Sequence, residues 1–223
     1  DEGEQLWERR VAETHAAAAI LGASRVEFLG YRDSGMMGTP ENDVPEAFWQ
    51  ADVGEAASRL AALLAEEHAD VLTFYDEHGG YGHPDHIQVH RVGVRAAELA
   101  GTPRVYESTM NRDHFIRVME QARELGIELP GGDPAAELED VPEVVDAEAP
   151  AFGTPEADIT TFVDVGSFLD VKRRAMAAHA SQIAESSFFL ALPEAAFSAA
   201  FGTEWFIRRD ARPTEREAWL LDA

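Results

Sequence analysis

The run Val71–Tyr75, VLTFY, leaves the chain less freedom than any other segment. A short apolar stretch without polar alternation reads as a strand buried on both faces, and such strands sit in parallel sheets covered by helices. The residues just after it support that reading. EHGGYG is a turn rich in glycine, and Pro84 suits the first turn of a helix running to about Leu99. The same rhythm holds elsewhere. Glu4–Leu21 reads as a helix with Trp7, Val11, Thr14, Ala18 and Leu21 on one face, stopped by Gly22. Ala51–Glu67 is a second helix, with Val53, Ala57, Leu60 and Leu64 at helical spacing. Arg25–Leu29 (RVEFL), Arg104–Glu107 (RVYE) and Ile159–Val165 (ITTFVDV) read as three further strands. Asn111–Leu125, Ser167–Ile183 and Pro193–Phe201 read as helices, and Phe206–Asp222 closes the chain. Strands alternating with helices predict an α/β fold with a mostly parallel sheet.

A βαβ unit normally opens with a strand, but here a helix stands at the beginning. The expectation is that the first strand and helix of the fold are missing. Residues 126–158 break the rhythm with an acidic stretch rich in Pro and Gly, expected to be a surface loop or insertion within one domain spanning 1–223.

Composition narrows the chemistry. There is no cysteine, which excludes disulfides, thiolate nucleophiles and Cys-type zinc sites, so any metal is held by His, Asp or Glu. The net charge of −24, from 42 acidic and 18 basic residues, repels nucleic acid and anionic membranes. No apolar run approaches the roughly 20 residues that cross a bilayer. A soluble protein of a reducing, cytoplasmic compartment is expected, and an oligomer is compatible with everything in the sequence.

The densest polar cluster runs from Asp76 to His86, DEHGGYGHPDH, with His90 one helical turn beyond. It lies at the carboxyl end of a strand, where open α/β sheets bind ligands. Neutral imidazole is the commonest zinc ligand and needs an orienting acceptor on its second nitrogen, a role open to Asp85. A single histidine near a helix start is usually a cap or a packed side chain. Three histidines and an aspartate behind a glycine turn favour a site. Three other places are ambiguous by themselves. YRDSGMMG, residues 31–38, reads as an ordinary polar loop, Arg9-Arg10 as a solvated helix face, and His179 as a partly buried structural residue.

GYRDSGMMGTPEN and YDEHGGYGHPDHIQVH together resemble the PIG-L/LmbE-like deacetylases. The resemblance covers about residues 1–110 and returns over ITTFVDV and KRRAMAAHASQ. It implies a Rossmann-like fold, one catalytic zinc (iron or another divalent ion being an alternative) and removal of an N-acetyl group from an N-acetylglucosamine-type conjugate. His86 is implied as the metal ligand. His83 is implied to stabilise the oxyanion and protonate the leaving amine, with Asp85 fixing its orientation and charge and Tyr81 assisting the tetrahedral intermediate. Asp33 and Met36 match positions lining the sugar pocket, and Arg10 matches an arginine that contacts the substrate. An amidase cleaving a larger acyl group from a glucosamine conjugate, and a non-catalytic sugar-binding relative, are the alternatives. One departure stands out: the family's HPDDE motif, source of two zinc ligands and the general base, does not occur in the 223 residues. Residues 1–223 alone are therefore expected to bind zinc weakly or not at all and to show negligible activity, because a catalytic zinc usually has three protein ligands.

Overall fold

A computed structural model describes residues 2–124, 153–183 and 187–221. Helix α1 (Glu2–Leu21) leads into an extended segment and then a loop with short 3-10 turns at Pro40–Asp43 and Phe48–Gln50. Helix α2 (Val53–Glu66), strand β1 (Val71–Tyr75), the single turn α3 (Gly79–Gly82), helix α4 (Pro84–Ala100) and strand β2 (Arg104–Thr109) come next. Beyond them lie α5 (Arg112–Glu124), β3 (Thr161–Asp164), α6 (Leu169–Ala178), the turn α7 (Phe188–Ala191), α8 (Glu194–Phe201) and β4 (Thr203–Arg208). The sheet order is β1-β2-β4-β3.

Caps set the helix boundaries. Asp52 accepts the amide of Glu55 at 2.8 Å and starts α2. Pro84 occupies the first turn of α4, and Gly101, left-handed at φ 67°, ends it by donating its amide to Ala97. Helices α2 and α4 meet through small residues: Ala56, Ala57 and Ala96 are fully buried, and Val92 fills the space between them. Tyr31, Phe48, Leu60 and Leu64 close the rim of this cluster. A second cluster, Tyr106, Val163 and Phe206, packs on the sheet itself.

The α/β class holds, but the sheet is mixed. β1 and β2 are parallel, with Val71 opposite Arg104, whereas β4 runs antiparallel to both β2 and β3. A parallel neighbour needs a crossover of a dozen or more residues, which α4 supplies between β1 and β2. Two expectations about individual strands need correction. RVEFL is extended but joins no ladder among the described residues. Phe28 is exposed, and the segment is held instead by Arg25, which pairs with Glu27 at 2.8 Å and Glu67 at 2.6 Å. A strand exists only through a partner's amides and carbonyls, so propensity alone does not make one. Conversely TEWFIR, of which only Phe206–Arg208 fell in the closing segment, is β4, lying between β2 and β3. Of the acidic 126–158 stretch, residues 126–152 lie outside the described residues, while Gly153 and Thr154 are buried against the end of β2.

Gly93 of α4 faces the Phe74 ring of β1, and a Cβ there would stand 2.5 Å from Phe74 Cδ1. Helix propensity alone favours alanine over glycine by about 1 kcal/mol, whereas forced overpacking costs about 1–3 kcal/mol. Gly93→Ala is expected to lower the stability measured by urea unfolding. A stabilised variant would show that helix and strand are not packed this tightly.

Candidate active site

The site begins where β1 ends. Asp76 continues the ladder by donating its amide to Ser108 O at 3.0 Å, and the chain then turns through three glycines with positive φ. Gly79 is required twice over. Its φ is 64°, and a Cβ would lie 2.8 Å from both His86 Cβ and the amide nitrogen of Ile87. The turn is thereby pressed onto the first turn of α4, bringing Tyr81, His83 and His86 together.

His86 is oriented from behind. Its Nδ1–H donates to the carbonyl of Gly79 at 3.1 Å, which leaves the lone pair on Nε2. The ring stacks on Tyr75, with centroids 4.0 Å apart and planes 9° from parallel, and Tyr81 meets it edge-on at 5.1 Å. Burial pushes the His86 imidazole below its ordinary pKa, against the opposing effect of the Gly79 carbonyl, and His83 lowers it further. A neutral ring with a free nitrogen, anchored by a backbone carbonyl, is the form in which histidine binds metals.

His83, 5.0 Å from His86 between ring centroids, has the opposite polarity. It is the N-cap of α4, and its Nδ1 accepts the amide of Asp85 at 3.1 Å. With Nδ1 accepting, the proton of the neutral ring sits on Nε2, so the outer face of His83 is a donor. The Asp85 carboxylate reaches across to the second motif. Its Oδ2 accepts the amide of Ser34 at 3.2 Å, while its Oδ1 is buried with no partner. Burial, with a smaller effect of the Asp33 charge, raises the Tyr81 phenol above its ordinary pKa, keeping it an O–H donor.

The loop after residue 30 comes to the same place. Asp33 accepts Arg10 Nη1 at 3.0 Å, joining α1 to the site. Helix α1 is itself tied down by Glu13, which accepts the amide and hydroxyl of Ser181 at 2.9 and 2.5 Å. Met36 is half exposed. The loop's shape comes from Asn42, whose side-chain amide donates to Ser34 O and Met36 O and whose oxygen accepts Gly38 N. A cleft of about 330 Å³ opens beside the site, lined by Trp7, Arg10, Phe28, Asp33 and Asp85, within the size range of small-ligand pockets.

One ligand atom from each of Asp33, His83 and Asp85 lies within 4.8 Å of the others, close enough for a cation. The hydrogen bonds argue against His83 as a ligand in this arrangement, because its accepting nitrogen already caps α4. The free nitrogen of His86 fits a metal better. Arg10, Asp33, Tyr81, His83, Asp85 and His86 thus belong to one region, while Met36 is on the same loop as Asp33. His90, counted with the other histidines, does not: its Nδ1–H donates to Tyr75 O at 3.1 Å, beneath the sheet end. Ser34, Asn42 and Tyr75 were given no role from the sequence, although Ser34 and Asn42 lie within the GYRDSGMMGTPEN motif.

The chain as a whole is similar to known proteins. The family model PIG-L, described as GlcNAc-PI de-N-acetylase, matches residues 1–97. A 1D-myo-inositol 2-acetamido-2-deoxy-alpha-D-glucopyranoside deacetylase of Acidothermus cellulolyticus is 42% identical over 213 residues, covering 93% of this chain and 70% of that protein. Proteins of the same name from Catenulispora acidiphila (there numbered 1) and Thermomonospora curvata are 40% and 37% identical. They align with 86% and 94% of this chain, which spans 62% and 72% of their lengths.

A histidine whose folded pKa is lowered binds fewer protons folded than unfolded, so its contribution to stability is complete above the unfolded value of 6.5 and is lost as pH falls below it. In metal-free protein, NMR titration is expected to give His86 a pKa below 6.5. A value above 6.5 would contradict the burial of this ring.

Proposed function

Because the chain belongs to the PIG-L family of de-N-acetylases, we propose that it contributes the substrate-facing part of a deacetylase site that releases acetate from an N-acetylglucosamine unit joined to an inositol-like polyol. The observation that carries this reading is the opposed polarity of two adjacent imidazoles: His86 turns a lone pair outward and His83 turns out an N–H. Amide hydrolysis needs both an electrophile at the carbonyl and a donor for its oxygen.

His86 Nε2 is the group of this chain that would hold the metal, here read as zinc. When bound, such an ion supplies Lewis acidity toward the acetyl carbonyl. Water attacks the acetyl carbon, and the residues of this chain act on the carbonyl oxygen and on the leaving amine. His83 Nε2–H donates to the carbonyl oxygen as negative charge develops there, and the Tyr81 phenol supplies a second donor from the mouth of the site. Leaving of the amine needs a proton. A protonated His83 supplies it, with its Nδ1–H then turned from acceptor to donor and satisfied by the unpartnered oxygen of Asp85. Arg10 and Asp33, already paired with each other, present a donor and an acceptor to the hydroxyls of the sugar, and Met36 lies against its apolar face.

The names of the relatives favour acetate over a larger acyl group. Acetate release from the inositol-linked substrate tests this on the polypeptide as its gene encodes it. His83→Ala is expected to lower turnover at least about a hundredfold, the usual cost of one oxyanion donor, with metal content unchanged. His86→Ala is expected to lose metal in elemental analysis. Equal turnover in His83→Ala would remove that residue from the mechanism, and full metal content in His86→Ala would remove the ligand.

A further inference from the structure

Asp76 is 1% exposed, yet it carries a carboxylate. Its Oδ1 accepts the amides of His78 and Gly80, at 3.1 and 2.9 Å. Its Oδ2 accepts the hydroxyl of Thr109, at 2.5 Å. Thr109 has one proton to give, and it goes to the carboxylate. The 2.7 Å contact between Thr109 and Thr154 must then run from the Thr154 hydroxyl to Thr109 Oγ1. The hydrogen bonds therefore have a direction: Thr154 to Thr109 to Asp76, and from the amides of the glycine turn back to Asp76. All three side chains are buried.

The far end of this chain meets the turn as well. Gly153 donates its amide to Gly80 O at 3.2 Å, and Thr154 donates to Met110 O at 2.8 Å. Gly80 is thus held on both sides, its amide by Asp76 and its carbonyl by Gly153. This is the residue just before Tyr81, with φ 73°, inside the turn that Gly82 closes by donating its amide to His78 O at 3.0 Å. Burying a carboxylate without a cation is costly unless every oxygen is bonded. Here each oxygen is bonded, and the bonds converge on the loop that bears Tyr81 and His83.

We infer that Asp76, Thr109 and Thr154 form a buried clamp that sets the glycine turn and so aims Tyr81 and His83 at the substrate. This makes Asp76 a positioning residue for the deacetylation proposed above, on which its catalytic consequence rests. The clamp also ties the Gly153–Thr154 segment to the geometry of the site, through hydrogen bonds rather than through substrate contact.

Thr109→Val tests the clamp, because it keeps the branched side chain and removes only the hydroxyl. The Gly80 amide is expected to exchange with deuterium at least about tenfold faster, while the Val92 amide in α4 keeps its wild-type rate. Turnover for acetate release is expected to fall by about tenfold to a hundredfold, as misplacement of reacting groups commonly does, with little change in KM. Thr109→Ser, which restores the hydroxyl, is expected to return both readings to wild type. If Thr109→Val does not fold, Thr154→Val removes the outer member and is expected to speed Gly80 exchange in the same selective way. Equal acceleration at Gly80 and Val92 would indicate general loosening and overturn the clamp. So would an unchanged Gly80 amide. The exchange measurement needs no substrate. No acetate release from the wild type, together with the Gly80 response in Thr109→Val, sinks the deacetylase reading and leaves the clamp standing.

Discussion

A helix cannot start until its first amides find acceptors, and in this protein the acceptor for α4 is an imidazole of the candidate site. The bond from the Asp85 amide to His83 Nδ1 does two things at once. It satisfies an amide that an uncapped helix would leave open, and it decides which nitrogen of His83 carries the proton. The same turn places His86 one step further along α4, where the Gly79 carbonyl decides the opposite tautomer. Two identical side chains three residues apart thereby acquire different chemistry from backbone groups alone. Neither needs a dedicated charged partner to do so.

This arrangement depends on how closely the backbone can be compressed. Gly79 lies against His86, and Gly93, two turns further along the same helix, lies against the Phe74 ring of the strand that delivers the loop. Alanines 56, 57 and 96 bring α2 against the outer face of α4. The strand, the turn and the helix are therefore spaced by small residues throughout, with the larger side chains at the rim. Protein interiors pack at nearly crystalline density, so such spacing tolerates little adjustment. The region around β1 and α4 is consequently the rigid part on which a mechanism needing sub-ångström aim can rest.

The second motif reaches the site by a different route. The 34–42 loop has no strand or long helix to shape it. Asn42 bonds three of its backbone groups, and the buried Ser34 joins it to Asp85 through an amide and to Trp49 through its hydroxyl. Arg10 approaches from α1, and its pairing with Asp33 is largely exposed, worth little to stability. Such a pair is free to exchange one partner for another, which suits a group that meets polar hydroxyls. The scaffolding of the loop is buried, while the groups facing the cleft are left accessible.

Local pattern alone was enough for the α/β class, for α2, α4, β1 and β2, and for the cluster that carries Tyr81, His83, Asp85 and His86, whereas Asp33 was singled out only through the family resemblance. Those features depend on periodicity, caps and short motifs, which are written in neighbouring residues. RVEFL and TEWFIR have similar strand character, yet only the second entered the sheet, because a strand is defined by the partner that accepts its hydrogen bonds. Likewise nothing adjacent in the chain distinguishes Asp76 from the other acidic residues, nor Thr109 and Thr154 from other threonines. Their roles arise from contacts 33 and 45 residues apart. Composition and motif told which groups were present; only the packing of distant segments told which nitrogen of each histidine faces outward, because a proton's position is chosen by the hydrogen-bond partner that folding brings to it.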